Sequence, residues 1–125
     1  MLIFTFDSQV FRSPAAEMFI FLAMAPKSEY KDKEDFCKAV VDKQWSDYED
    51  WAKNMKYDFS FKPVSREEYN GRALDYLDNF MSPKVTVEHG EIKDLCEIYP
   101  PEWNDVDLFF ESEGMYFFYS WMTTA

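Results

Sequence analysis

The side chains with the clearest chemical potential are the carboxylates between residues 88 and 113. Glu88, Glu91, Asp94, Glu97, Glu102, Asp105, Asp107, Glu111 and Glu113 recur every two to five residues, and no Lys or Arg follows Lys93. Duplex DNA carries about one negative charge per 1.7 Å of axis. A folded surface that gathers these carboxylates on one flank would imitate part of that row. Tyr99, Trp103, Phe109 and Tyr116 lie among them, and Trp and Tyr are the residues that most often anchor interfaces. Pro100-Pro101-Glu102-Trp103 reads as a stiff loop that holds a Trp at low entropic cost.

Other chemistries find little support. His89 is the single histidine, and no nucleophile with an orienting third group stands near it, as acyl transfer would require. His89-Gly90-Glu91 has the H-x-E shape of zinc deaminases but not their P-C-x-x-C half. Cys96 cannot complete a zinc shell alone. No EF-hand loop is present, and glycines at 71, 90 and 114 cannot make a phosphate loop. Glu91-Ile92-Lys93 has the E-x-K shape of metal-dependent nucleases, but the segment reads as helical, which would separate the two side chains. A paired-carboxylate glycosidase also needs a deep sugar cleft. The expectation is no catalytic residue, no metal and no cofactor.

The charge is uneven. The chain of 125 residues has a formal net charge of −11. Residues 1–62 hold nine basic and eleven acidic groups, and residues 63–125 hold four and thirteen. That field repels nucleic acid and anionic membrane and steers the chain toward basic surfaces. Hydrophobic residues make up 47% of the chain and aromatics 20%, enough for the core of one domain spanning 1–125. The start lacks the basic region of a secretory signal, so the expected location is cytoplasmic, or the host cytoplasm for a phage-encoded chain. Cys37 and Cys96 are then free thiols, buried more than reactive. The apolar run Met18–Pro26 is too short to span a bilayer as a helix.

Periodicity supplies the elements that must position these groups. Leu2–Phe6 reads as a strand. Met18–Ala25 has a helix-like start at Ser13-Pro14 but a strand-like apolar core, and a strand paired with the first is expected. Asp32–Met55 reads as a helix capped by Asp32, with a stripe of Cys37, Val41, Trp45, Tyr48, Ala52 and Met55; Ser46-Asp47-Tyr48-Glu49 is itself a capping box, at which a break and restart is the alternative. Tyr57–Lys62 alternates as a strand. Ser65-Arg66-Glu67-Glu68 is a capping box that opens a helix with Tyr69, Ala73, Tyr76, Leu77 and Phe80 inward, ended near Pro83. Val85–Glu88 reads as a strand and Glu91–Ile98 as a short helix. Val106–Glu111 and Met115–Met122 form a hairpin about Ser112-Glu113-Gly114. The expected fold is α+β, with a mixed or mostly antiparallel sheet of five to six strands and two to three helices, in the order β-β-α-β-α-β-α-β-β. Tyr116–Trp121 is apolar on both faces. It is therefore central in the sheet or meets a second copy as a homodimer through the last strand.

In size, charge and lack of catalytic motifs the chain resembles phage anti-defence inhibitors, such as anti-CRISPR and antirestriction proteins, and toxin-immunity proteins. That resemblance implies an inhibitor of a nuclease or defence complex that mimics DNA, with a basic nucleic-acid-binding protein as partner and no direct contact with nucleic acid or membrane. An immunity protein that neutralises a nuclease toxin is the alternative in the same physical class. A small-ligand binder or enzyme with carboxylates in an aromatic pocket is the alternative outside it. The expected contact residues are Glu88, Glu91, Asp94, Glu97, Glu102, Trp103, Asp105, Asp107, Glu111 and Glu113.

Overall fold

The computed structural model describes residues 1–6, 18–44, 57–69 and 90–123. Six strands form one antiparallel sheet: β1 (Leu2–Phe6), β2 (Met18–Pro26), β3 (Lys62–Pro63), β4 (Lys93–Glu97), β5 (Asp105–Ser112) and β6 (Met115–Thr123). Their spatial order is β1-β2-β6-β5-β4-β3. One α-helix is present among the described residues, α1 (Lys33–Gln44). The fold is α+β, but the expected two to three helices and the expected strand order are not matched.

β5 and β6 are joined through Glu113 and Gly114, which have φ values of 50° and 78°. Positive φ at both central residues makes a two-residue turn whose twist suits the strands. The expected three-residue turn is thereby shortened by one. Phe110 and Phe117 face each other across the pair and stack with ring centroids 4.7 Å apart. β6 lies between β2 and β5, so both of its edges are hydrogen-bonded and neither can receive a second copy. Its two-sided apolarity comes from a central place in the sheet. The sheet ends instead at β3, two residues long and containing Pro63, and at β1, whose Leu2, Ile3 and Phe4 side chains are exposed.

Both faces of the sheet are buried. On one, Ile20, Leu22, Leu108, Phe110, Phe117 and Tyr119 pack together with Tyr69. On the other, Ala23, Cys96, Phe109 and Phe118 receive Phe36, Cys37, Val40 and Val41 of α1. Small residues on β2 (Ala23 and Ala25, both buried) leave room for a helix to lie close. Asp32 caps α1, since its Oδ1 accepts the Asp35 N–H at 2.8 Å, satisfying one of the donors a helix start leaves open. Asp35 reaches back to accept the Lys31 N–H at 3.0 Å.

Three sequence expectations need correction. Glu91–Ile98 is not a helix; its centre is β4. Leu95 and Cys96 enter opposite cores, and a strand buried on both faces shows no alternation to read. Asp94 sits at φ 52° in a bulge that shifts the β4–β5 register between Lys93 and Cys96. Tyr57–Lys62 does not run as a strand. Phe61 at φ 45° interrupts the extension, and only Lys62–Pro63 pairs. Half of the Ser65 box forms, with Glu68 Oε1 accepting the Ser65 N–H at 3.2 Å, while the Glu68 N–H donates to the Ser65 carbonyl, and it opens a short 3-10 turn at Arg66–Tyr69. The continuations expected at 45–55 and 70–83 and the strand at 85–88 lie outside the described residues.

Candidate functional site

The sheet distributes the candidate carboxylates instead of gathering them. Glu97 lies on the face with Tyr69, whose hydroxyl donates to Glu97 Oε2 at 2.5 Å. Asp107 lies on the opposite face, where it accepts a hydrogen bond from Ser120 Oγ, its cross-strand partner. Burial pushes the Asp107 carboxyl up to about 7, with the neighbouring Asp105 adding to the rise and the Ser120 hydrogen bond opposing it. Asp105 is half-buried and also raised, by burial and then by Glu102. Tyr99 is raised too, by burial first and then by the charge of Asp107.

Two more carboxylates are neutralised by lysines of the N-terminal half. The Asp94 bulge meets Lys33 of α1, with Nζ to Oδ2 at 3.2 Å. Glu111 meets Lys27 at 2.7 Å. Lys33 also lies over the Phe61 ring at 5.0 Å, and Lys27 over the Tyr116 ring at 5.7 Å, so both stems cover aromatic surface while their ammonium groups meet acids. Glu91 and Glu113 are exposed at the far end of β5 from Glu102. β5 has eight residues, which spans about 26 Å, so these groups do not join Glu102 in one row. Glu88 lies outside the described residues, as does His89.

Among the described residues, the carboxylates do not all share one face of the sheet: Asp105, Asp107 and Glu111 alternate onto one face of β5, and Glu97 lies on the other. What the structure brings together is the turn before β5. Glu102 and Asp105 form an antiparallel bridge. The Glu102 N–H donates to the Asp105 carbonyl at 2.9 Å, and the Asp105 N–H to the Glu102 carbonyl at 3.3 Å. Trp103 and Asn104 are the two residues of the turn, and Trp103 is 70% exposed. A Trp of that size left in water on a hydrogen-bonded turn is unusual for a side chain that normally seeks the core.

Beside this turn is a cleft of about 380 Å³. Two of its lining residues, Glu97 and Tyr69, are buried, 5% and 4% exposed. Pro100 and Pro101 form part of its lining, with Ser60, Lys62 and Glu68. Sequence reasoning marked Glu97 and the two prolines, and placed Tyr69 inward, but did not connect them. The connection comes from the pairing of Lys62 with Glu97 across β3 and β4, which sequence spacing does not reveal.

The E-x-K pair is also placed differently from expectation. Lys93 begins a strand and Glu91 precedes it, both exposed. Among the described residues no group of three His, Cys, Asp or Glu side chains could hold a metal ion. Cys37 and Cys96 are free and buried in the same core. Burial raises the Cys96 thiol to about 11 and raises Cys37 further. No described helix is long and apolar enough to cross a membrane.

No family model, curated protein or solved structure matches this chain.

Proposed function

We propose that this chain is a small acidic binding protein that docks on a basic surface of a nucleic-acid-binding protein through its Pro100–Asp105 end, and inhibits that protein by occupying the surface. The observation that carries this reading is the exposure of Trp103, 70%, on a turn closed by two backbone hydrogen bonds. The turn limits the freedom lost on binding, and an aromatic anchor with a preorganised backbone is the usual core of a hot spot. Glu102 and Asp105 flank the Trp, so the anchor sits in a negative field within a chain of net charge −11. That field accelerates encounter with a basic partner.

Literal mimicry of a DNA phosphate row receives less support. Glu97 and Asp107 are on opposite faces of the sheet, and Asp94 and Glu111 are paired with lysines. In this reading the partner surface is basic because it binds nucleic acid, and blockage comes from the Trp103 end rather than from an imitation of the duplex. An immunity protein against a nuclease toxin would use the same physics.

The test is competition. Purified nucleases and RNA-guided effectors are titrated with the chain in the presence of labelled duplex DNA. A partner whose DNA is displaced by the wild-type chain, and no longer displaced by Trp103→Ala, supports the reading. Displacement that survives Trp103→Ala at unchanged concentration contradicts it.

A further inference from the structure

The cleft next to the Trp103 turn contains a buried acidic side chain that pairs with no Lys or Arg among the described residues. Glu97 is 5% exposed, yet no ion pair among the described residues involves it. One carboxylate oxygen, Oε2, is held by the Tyr69 hydroxyl at 2.5 Å. A carboxylate removed from water normally recovers its solvation from a cation or from several donors, and one hydroxyl supplies only part of that. Lys62 faces Glu97 across the β3–β4 pair, but it is exposed and forms no ion pair among the described residues. Glu68 adds a second carboxylate to the lining, its Oε1 already turned to Ser65.

We infer that this cleft receives one cationic side chain of the partner protein, an arginine, with Glu97 as its counter-ion. This rests on the reading of the Pro100–Asp105 end as the docking surface, because Pro100 and Pro101 belong to both. The volume, about 380 Å³, is at the small end of ligand pockets, which run from roughly 300 to 1,000 Å³; it suits a single side chain. Guanidinium is preferred over ammonium for two reasons. It is the less strongly hydrated cation, so it enters a cleft more readily, and its planar donors can meet a fixed carboxylate in parallel. The Tyr69 bond fixes that carboxylate. The proline rings offer apolar surface to the methylene stem.

The test uses small probes. The labelled chain is titrated with N-acetyl-L-arginine amide and, separately, with the neutral isostere N-acetyl-L-citrulline amide, followed by amide chemical shifts. The expected result is saturable shifts at Lys62, Tyr69, Glu97 and Ile98 with the arginine probe. Binding is at least ~10-fold weaker for citrulline and for arginine on Glu97→Gln, since the charge-assisted pair is lost. Glu97→Gln keeps the shape and an oxygen for the Tyr69 hydroxyl. Tyr69→Phe, which leaves the charge but frees its orientation, weakens arginine binding by a smaller factor. Equal binding of citrulline, unchanged affinity of Glu97→Gln, or shifts confined to Glu91 and Glu113 would overturn the inference. If Trp103→Ala abolishes partner binding but the arginine probe does not bind, the cleft inference fails and the docking reading stands. If the probe binds but Trp103→Ala keeps full partner affinity, only the docking reading fails.

Discussion

Replacing Asp107 by Asn should change how stability depends on pH, in a direction set by its burial. In the folded chain the Asp107 carboxyl holds its proton up to about pH 7, against an ordinary value of 3.8. Between those values the unfolded chain has released the proton and the folded chain keeps it. The unfolded state then binds fewer protons, so stability falls as pH rises through this window. The contribution is fully present below about pH 4 and is lost above about pH 7. A shift of one pH unit corresponds to about 1.4 kcal/mol, so the full window sets an upper bound of about 4 kcal/mol. Asn keeps the shape and can still accept the Ser120 hydroxyl, but it has no proton to lose. The assay is urea unfolding at several pH values, followed by Trp fluorescence, with the variant compared to wild type at each pH. The stability of Asp107→Asn minus that of wild type should rise steadily from pH 4 to pH 8. A flat difference, or one that falls with pH, would refute the assignment of Asp107 to a desolvated site beside Asp105.

Other outcomes follow from the same structure. Trp103→Ala should leave unfolding stability within about 0.5 kcal/mol, as for an exposed residue away from the core, while it weakens partner binding by about 2 kcal/mol or more, checked by parallel denaturation and titration. Gly114→Ala should destabilise by about 1 kcal/mol, because its φ is 78° and open space surrounds its missing Cβ, leaving backbone strain as the sole cost. Cys37 and Cys96 should both resist a thiol reagent at pH 8 in the folded chain and react stoichiometrically in urea, since burial disfavours both thiolates. Fast labelling of the native chain would show that the α1 core opens.

The elements with a strong local signature were legible in the sequence. The hairpin of β5 and β6 was announced by its glycine turn between apolar runs, and the start of α1 by Asp32. β2 was read correctly against a competing helix signal because Phe19-Ile20-Phe21-Leu22 is continuous rather than periodic. β4 was read wrongly for a related reason. Its short run is buried on both faces and interrupted by a bulge at Asp94, so neither a period of two nor one of 3.6 survives. The fates of the carboxylates depend on pairing register and on lysines sixty or more residues away, as with Lys33 and Asp94, and spacing along the chain does not encode that. Trp103 was recognised as a candidate anchor, but whether it faces water or core is decided by the bridge between Glu102 and Asp105.

The most direct measurement is the association rate of the chain with a purified partner from the competition screen, taken at low and high salt for the wild-type chain and Trp103→Ala. Wild type should associate roughly 10-fold or more slowly at high salt, and the variant should keep that salt response while dissociating much faster. A rate indifferent to salt, together with a dissociation rate untouched by the loss of the indole, would contradict an acidic chain docking by its Trp103 turn.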